Sequence, residues 1–400
     1  MPGQSPLDMM RAPVARSRKP PAAVRPRTRL WTIVAPITLV VVLAVGWAWI
    51  WYYAASVADR TLTGWVEREA AAGRFYSCGE QSIGGFPFRI EARCGDAAVD
   101  VKNTQPPLAA KAQVVRFVAE VWHPTRLVGD IGAPVLLAET GQPANWVANW
   151  SRARVIVRGI PPDPEGFSVR VDGAHVARTG DSDNAIFSAK SADLDGRIAA
   201  GSPHEHPVIE VTMRLTGATA PVFHALLAEP FDGEFDAVLR GFKDLAPKPW
   251  AERFREMRAA NDGGIEIKSL RLAQAKVIVV GTGELNINDH GKLDGVIQVA
   301  IVGIEHLVPL LGIDRLIGQG LDRLAGSNVV TQGASALDRM IPGLGGALRQ
   351  TANSGLIESL KKMGQPSTID KEPAIVLPLR FADGAVYLGM LRVAEVPAFF

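Results

Sequence analysis

Cysteine is almost absent: two residues in 400, Cys78 and Cys94, both in the segment "SCGEQSIGGFPFRIEARCG". Their spacing is not the Cys-x-x-Cys pair usual in a redox centre. Histidine is scarce too, with seven residues, and no motif gathers three metal ligands. The glycines never spell G-x-G-x-x-G or G-x-x-x-x-G-K-[ST], which excludes the common nucleotide cradles. G-x-S-x-G, H-E-x-x-H and a partnered S-x-x-K are also missing. The nearest approach, "GASAL" at 333, lacks the second glycine. A Ser-His-Asp arrangement dispersed along the chain stays open, because triads are defined in space. No cofactor is expected, and catalysis is not the leading expectation.

There is no large charge imbalance, since the formal net charge is +2. The distribution is uneven, however. Seven of the basic residues, Arg11 to Arg29, precede Leu30 against the single acid Asp8, so the tail carries about +6. The 36 basic and 40 acidic residues that remain leave a mildly acidic body. That pattern excludes a basic nucleic-acid-binding domain.

From Leu30 to Ala58 no residue is charged, and about 20 such residues suffice to cross a bilayer as a helix. The run exceeds the apolar core of a signal peptide, which spans about 7 to 15 residues. A retained anchor is therefore expected, with Ser56-Val57-Ala58 as the rival cleavage site. The basic tail predicts a cytoplasmic N-terminus and an exported body. Most of the chain is then expected on the exported side, with residues 30–58 in contact with membrane lipid. Trp31 at one end and Trp47, Trp49, Trp51, Tyr52 and Tyr53 at the other suit the interfacial zones. In an oxidising compartment Cys78 and Cys94 are expected to form a disulfide.

Beyond the span, the expected organisation is a helical stalk at 59–74, a β-rich lobe at 75–247, a connecting helix at 248–261 and a second β-rich lobe at 262–400. A helical insertion is expected at 304–363, and the tail at 1–29 is expected to be disordered. Period-two alternation carries the β reading. Phe167, Val169 and Val171 oppose Ser168, Arg170 and Asp172, while Ile209, Val211, Met213 and Leu215 oppose Glu210, Thr212, Arg214 and Thr216. Such strands are half-buried and antiparallel. Asp-Gly pairs at 172, 195, 232, 262, 294 and 383 suggest tight hairpin turns. Trp250, Phe254 and Met257 fall at i, i+4 and i+7, as on an amphipathic helix. The fold class expected is mainly β (α+β): one transmembrane helix, then a curved antiparallel sheet with a few packed helices.

Three residue groups are candidate sites. His204 and His206 in "SPHEHPV" have a spacing that could offer two imidazoles to a metal, though Pro203 and Pro207 favour an exposed loop. Arg152, Arg154 and Arg158 form a strand stripe that could meet phosphate groups, or simply solvate that face. Leu307, Leu310, Leu311, Leu316, Ile317 and Leu321 could line an apolar groove for a lipid chain or pack as core.

The segments "GGFPFRIEARC", "VWHPTRLVGDIGAPV", "LPLRFADGAVYLG" and "VPAFF" resemble the proteobacterial family called domain of unknown function 2125, over roughly residues 60–395. The resemblance implies an envelope protein of alphaproteobacterial type without established catalytic residues. "GTGELNINDHGKLDG" is similar to segments of AsmA-like envelope proteins, which are anchored by one N-terminal helix and implicated in lipid handling. The function expected is non-catalytic binding or handling of a lipid or other envelope component. The alternatives are an envelope scaffold or assembly factor that binds protein partners, or a hydrolase with a dispersed site.

Overall fold

The computed structural model describes residues 28–400 apart from 105, 161–162, 224, 247, 311–356 and 389–390. The chain falls into two compact units, Met1–Tyr53 and Ala54–Phe400. The described part of the first is the beginning of α1 (Thr28–Ala71), an unbroken helix that tolerates Pro36. Its portion Val34–Ala71, with a hydropathy of 2.1, is long and apolar enough to cross a membrane. Length and composition suit an anchor or a signal sequence equally. Because the helix does not break at residue 58, the expected stalk is its direct continuation. It stops at Gly73, whose φ of 80° is the left-handed conformation that ends helices, and Asn103 Nδ2 donates to the Ala72 carbonyl at 3.1 Å.

The second unit is built on one large antiparallel sheet. In chain order its strands begin with β1 (Arg74–Gly84), β2 (Arg89–Val101), β3 (Leu108–Glu120), β4 (His123–Ile131), β5 (Val135–Glu139) and β6 (Trp146–Asn149). Then come β7 (Arg152–Ile160), β8 (Asp163–Arg178), β9 (Asp181–Ser202), β10 (Glu205–Ala218), β11 (Phe231–Arg240) and β12 (Gly264–Gln274). The series ends with β13 (Val277–Ile287), β14 (Leu293–Val302), β15 (Gln365–Ile369), β16 (Glu372–Ala382), β17 (Ala385–Leu388) and β18 (Leu391–Glu395). Two short helices, α2 (Trp250–Ala259) and α3 (Ile304–Leu310), both rest on β13, and 357–363 is also helical.

Pairing follows the chain almost strand by strand. β4 and β5 together form one interrupted strand beside β3, and β6 and β7 form another beside β8. β11 pairs directly with β12 although α2 lies between them in sequence. The strands of the two expected lobes are thus hydrogen-bonded into the same sheet.

The Asp-Gly expectation needs correction. Of the six pairs, Asp383-Gly384 makes the tight turn between β16 and β17, whereas Asp195-Gly196, Asp232-Gly233 and Asp294-Gly295 lie inside paired strands. The β13–β14 reversal falls at Asn288–Gly291 instead, where Asn288 Oδ1 accepts from the backbone N–H groups of His290 and Lys292. Within strands a missing Cβ serves close packing. At Gly196 a Cβ would run into the ring of Phe167, and at Gly129 into that of Phe117.

The main core sits on one part of the sheet. Met257 of α2, Ile304 and Leu307 of α3, and Leu360 pack with Ile267, Ile297, Val299, Ile301 and Leu377. A small satellite cluster gathers Ala174, Ala189, Ala218 and Phe231.

Candidate functional site

Residues directly opposite in paired strands point to the same face of a sheet, so the register traces which side chains share a face. Beginning at Ala92, one row runs through Phe117, Gly129, Val155, Val169 and Leu194. It continues through Met213, Phe235, Leu270, Gly281, Val299 and Leu377. A neighbouring row on the same face starts at Ile90, Ala119, Leu127, Val157 and Phe167 and ends at Ile297 and Leu379. Neither row contains a polar side chain from β2 to β16.

Burial divides this face. Over β13, β14 and β16 the face is closed, with Ile297, Val299 and Leu377 at 4%, 3% and 1% exposure. Across β2 to β10 every large apolar side chain of the two rows is half-buried or exposed, and Phe167 and Met213 each remain 37% exposed. Among the described residues, then, an apolar surface continues outward from the core without a lid. A soluble sheet normally alternates apolar-in with polar-out because the apolar side finds a cover. Here the cover stops part-way.

The opposite face carries charge. The row Arg93, Arg116, Asp130, Arg154, Arg170, Asp193, Arg214, Glu234 and Arg271 crosses nine strands. Asp130 sits between Arg116 and Arg154, at 3.1 and 3.2 Å. Partial burial pushes its pKa up, but hydrogen bonds from both guanidinium groups outweigh this and hold it below the usual carboxylate range. Asp236 is also held low, by hydrogen bonds from Thr212 and Ser269 at 2.6 and 2.7 Å. Glu210 is held low by Lys268 and Arg197. Val118, Val128 and Ile156 interrupt the next row of this face.

The sequence candidates fall as follows. Arg154 belongs to the charge ladder and pairs with Asp130; Arg158 donates from Nη2 to Ser168 Oγ at 3.2 Å; Arg152 stands opposite Asp172. Two of the three arginines visible in sequence, Arg152 and Arg154, are therefore matched by carboxylates on adjacent strands. His204 occupies the β9–β10 turn and its Nε2 meets Asp163 Oδ1, while His206 lies in β10 with φ of 44°. Among the described residues no group of three or more His, Cys, Asp or Glu is placed to hold a metal ion. Leu307 is 6% exposed inside the main core. Leu310 lies in α3, its side chain outside the described set, and Leu311, Leu316, Ile317 and Leu321 are outside the described residues. Cys78 and Cys94 are joined, tying β1 to β2.

A buried polar cluster that sequence reasoning missed fastens α2. Lys248 Nζ donates to Asp244 Oδ2 at 2.9 Å and to Glu256 Oε1 at 2.6 Å. Arg253 donates to the backbone carbonyls of Asp244 and Ala246. Burial lowers the Arg253 pKa. It opposes the Lys248 charge as well, but the bonds to Asp244 and Glu256 prevail and raise that pKa. The Glu256 Oε2 is buried without a hydrogen-bond partner among the described residues. Partners four to nine positions apart with no recurrent spacing leave little trace in sequence.

Fold and surface together define a class: a β-meander protein with one long apolar face and an N-terminal helix able to enter a membrane. The chain belongs to the family described as uncharacterized protein conserved in bacteria (DUF2125), whose model matches residues 51–397. Neither the curated proteins nor the solved structures provide a match.

Proposed function

We propose that this is a non-catalytic, membrane-anchored envelope protein that holds an acyl chain of a lipid against the apolar face of β2 to β10. The observation that carries the reading is the pair of apolar rows that leave the core and, among the described residues, run on uncovered. Exposed apolar surface on this scale costs free energy in water, about 25 cal/mol per Å², unless something apolar meets it. α1, in this reading, stays in the inner membrane with the basic tail in the cytoplasm. The Cys78–Cys94 disulfide supports an oxidising, periplasmic location for the body.

Photo-crosslinking of the full chain in membranes with a diazirine-bearing phospholipid, followed by peptide mapping, tests this. Adducts on the peptides containing Phe117, Val155, Val169 and Leu194, in addition to α1, are expected. Adducts confined to α1 would rule out lipid on the sheet.

A further inference from the structure

The α1 residues beyond the uncharged stretch run antiparallel to β1. Glu69 pairs with Arg74, the ring of Trp65 lies 4.7 Å from that of Tyr76, and Gln81 Nε2 donates to Asp59 Oδ1 at 3.1 Å. Going along β1 from Arg74 to Gln81 therefore means going back along the helix from Glu69 to Asp59. Asp59 is the first charged residue after the run 30–58. β1 runs on from Gln81 to Gly84 and the reversal at 85–88, at the end of the strand remote from Arg74.

This reversal is aromatic and exposed. Phe86 and Phe88 are 52% and 58% exposed, and Trp122, in the neighbouring β3–β4 reversal, is 66% exposed. The two reversals are fastened together. The Val121 N–H donates to the Phe88 carbonyl at 3.0 Å, and the rings of Phe88 and Trp122 lie 6.1 Å apart. Arg89 and Arg126 flank them, both exposed. At the other end of these strands the β2–β3 connection reads Lys102, Asn103, Thr104 and carries no aromatic residue. At that end Phe75 lies under Lys102 and Tyr76 against Trp65, whereas the reversals at 85–88 and 121–122 present exposed aromatic rings flanked by arginine. That composition is favoured at the headgroup level of a bilayer, where aromatic rings sit and arginine stems reach outward.

We infer that Phe86, Phe88 and Trp122 form a second membrane contact, inserting into the headgroup–acyl boundary of the bilayer that holds α1. The inference rests on α1 being a membrane anchor and on nothing else in the proposed function. Its structural consequence is directional. Ile90, Ala119 and Leu127, which open one of the apolar rows, are the next apolar positions inward from Phe88 and Trp122. The apolar face would start at the membrane surface, and an acyl chain could pass onto it without crossing open water.

The full chain in nanodiscs made with phospholipid brominated near the headgroup end of its acyl chains provides the test. The fluorescence lost on Trp122→Phe isolates the contribution of Trp122, and Trp49→Phe does the same for the helix. Bromine is expected to quench the Trp122 contribution by half or more. Phe86→Asp together with Phe88→Asp is expected to abolish that quenching while far-ultraviolet circular dichroism stays unchanged. A quenched Trp49 beside an unquenched Trp122 would overturn the inference alone. If neither is quenched, the anchor reading fails and the inference falls with it.

Discussion

The two ends of the sheet share one pattern and differ in what lies on it. From β2 to β10 and from β11 to β16 the same rows of Val, Ile, Leu and Phe keep the same register. Over the second stretch α2, α3 and the helical turn at 357–363 supply Met257, Ile304, Leu307 and Leu360 as a lid. Among the described residues the first stretch has only local cover, around Phe231. Alternation alone therefore marks which residues share a face, and it leaves undetermined whether that face becomes an interior. Stability should reside at one end and ligand contact at the other.

Substitution at matched positions exposes this division most sharply. Leu377→Ala, on the covered side at 1% exposure, is expected to cost about 3 kcal/mol. Leu194→Ala, half-buried on the open side, should cost about 1 kcal/mol or less. Urea midpoints of the detergent-solubilised chain measure both, and equal losses would dissolve the comparison. Next in size is the disulfide at the open end. Replacing Cys78 and Cys94 together by Ser frees a 16-residue separation and is expected to remove about 3 kcal/mol at most. Loss confined to the β1–β2 peptides in hydrogen exchange would show that this end unfolds separately.

The polar fastening of α2 tests the covered end by another route. Lys248→Met leaves the Glu256 carboxylate buried without its cation, at a cost of about 2 kcal/mol. Adding Glu256→Gln should recover part of that loss in the same melt. No recovery would mean that Lys248 acts through packing. The smallest effect concerns pH. The folded-state pKa values of Glu210 and Asp236 lie below their ordinary ones, so their contribution is present above the ordinary carboxylate pKa of about 4 and fades as pH falls through and below it. Melting temperature should decline over that window. Glu210→Gln should flatten part of the decline, and an unchanged slope would assign it to other groups.

Much of the architecture was legible because strand alternation is local. Phe167, Val169 and Val171 announce their shared face without reference to any other strand, and so do Ile209, Val211, Met213 and Leu215. Trp250, Phe254 and Met257 likewise gave α2, and the Cys78–Cys94 pairing followed from scarcity and location. What depended on neighbours was hidden. The arginine stripe at 152, 154 and 158 could be seen, but Asp130, which neutralises part of it, lies on another strand whose register only the fold supplies. Asp-Gly pairs misled because glycine signals a turn and a cross-strand ring contact with the same letter. Leu307 has the spacing of either a groove wall or a core residue, and only its surroundings separate the two.

The sheet's pairing order has a consequence for how the molecule is made. Nearly every strand up to β14 bonds to the one synthesised just before it, so no strand there has to wait for a distant partner. The chain can be assembled as a growing edge, each hairpin closing on the one before it while later residues are still on the ribosome. The exception is β16, which reaches β14 across the segment that contains α3 and the turn at 357–363. The last step of assembly therefore coincides with closing the lid. Until then the future core, beyond what α2 already covers, and the apolar face of β2 to β10 are the same kind of surface, and α3 with the helical turn at 357–363 completes the difference.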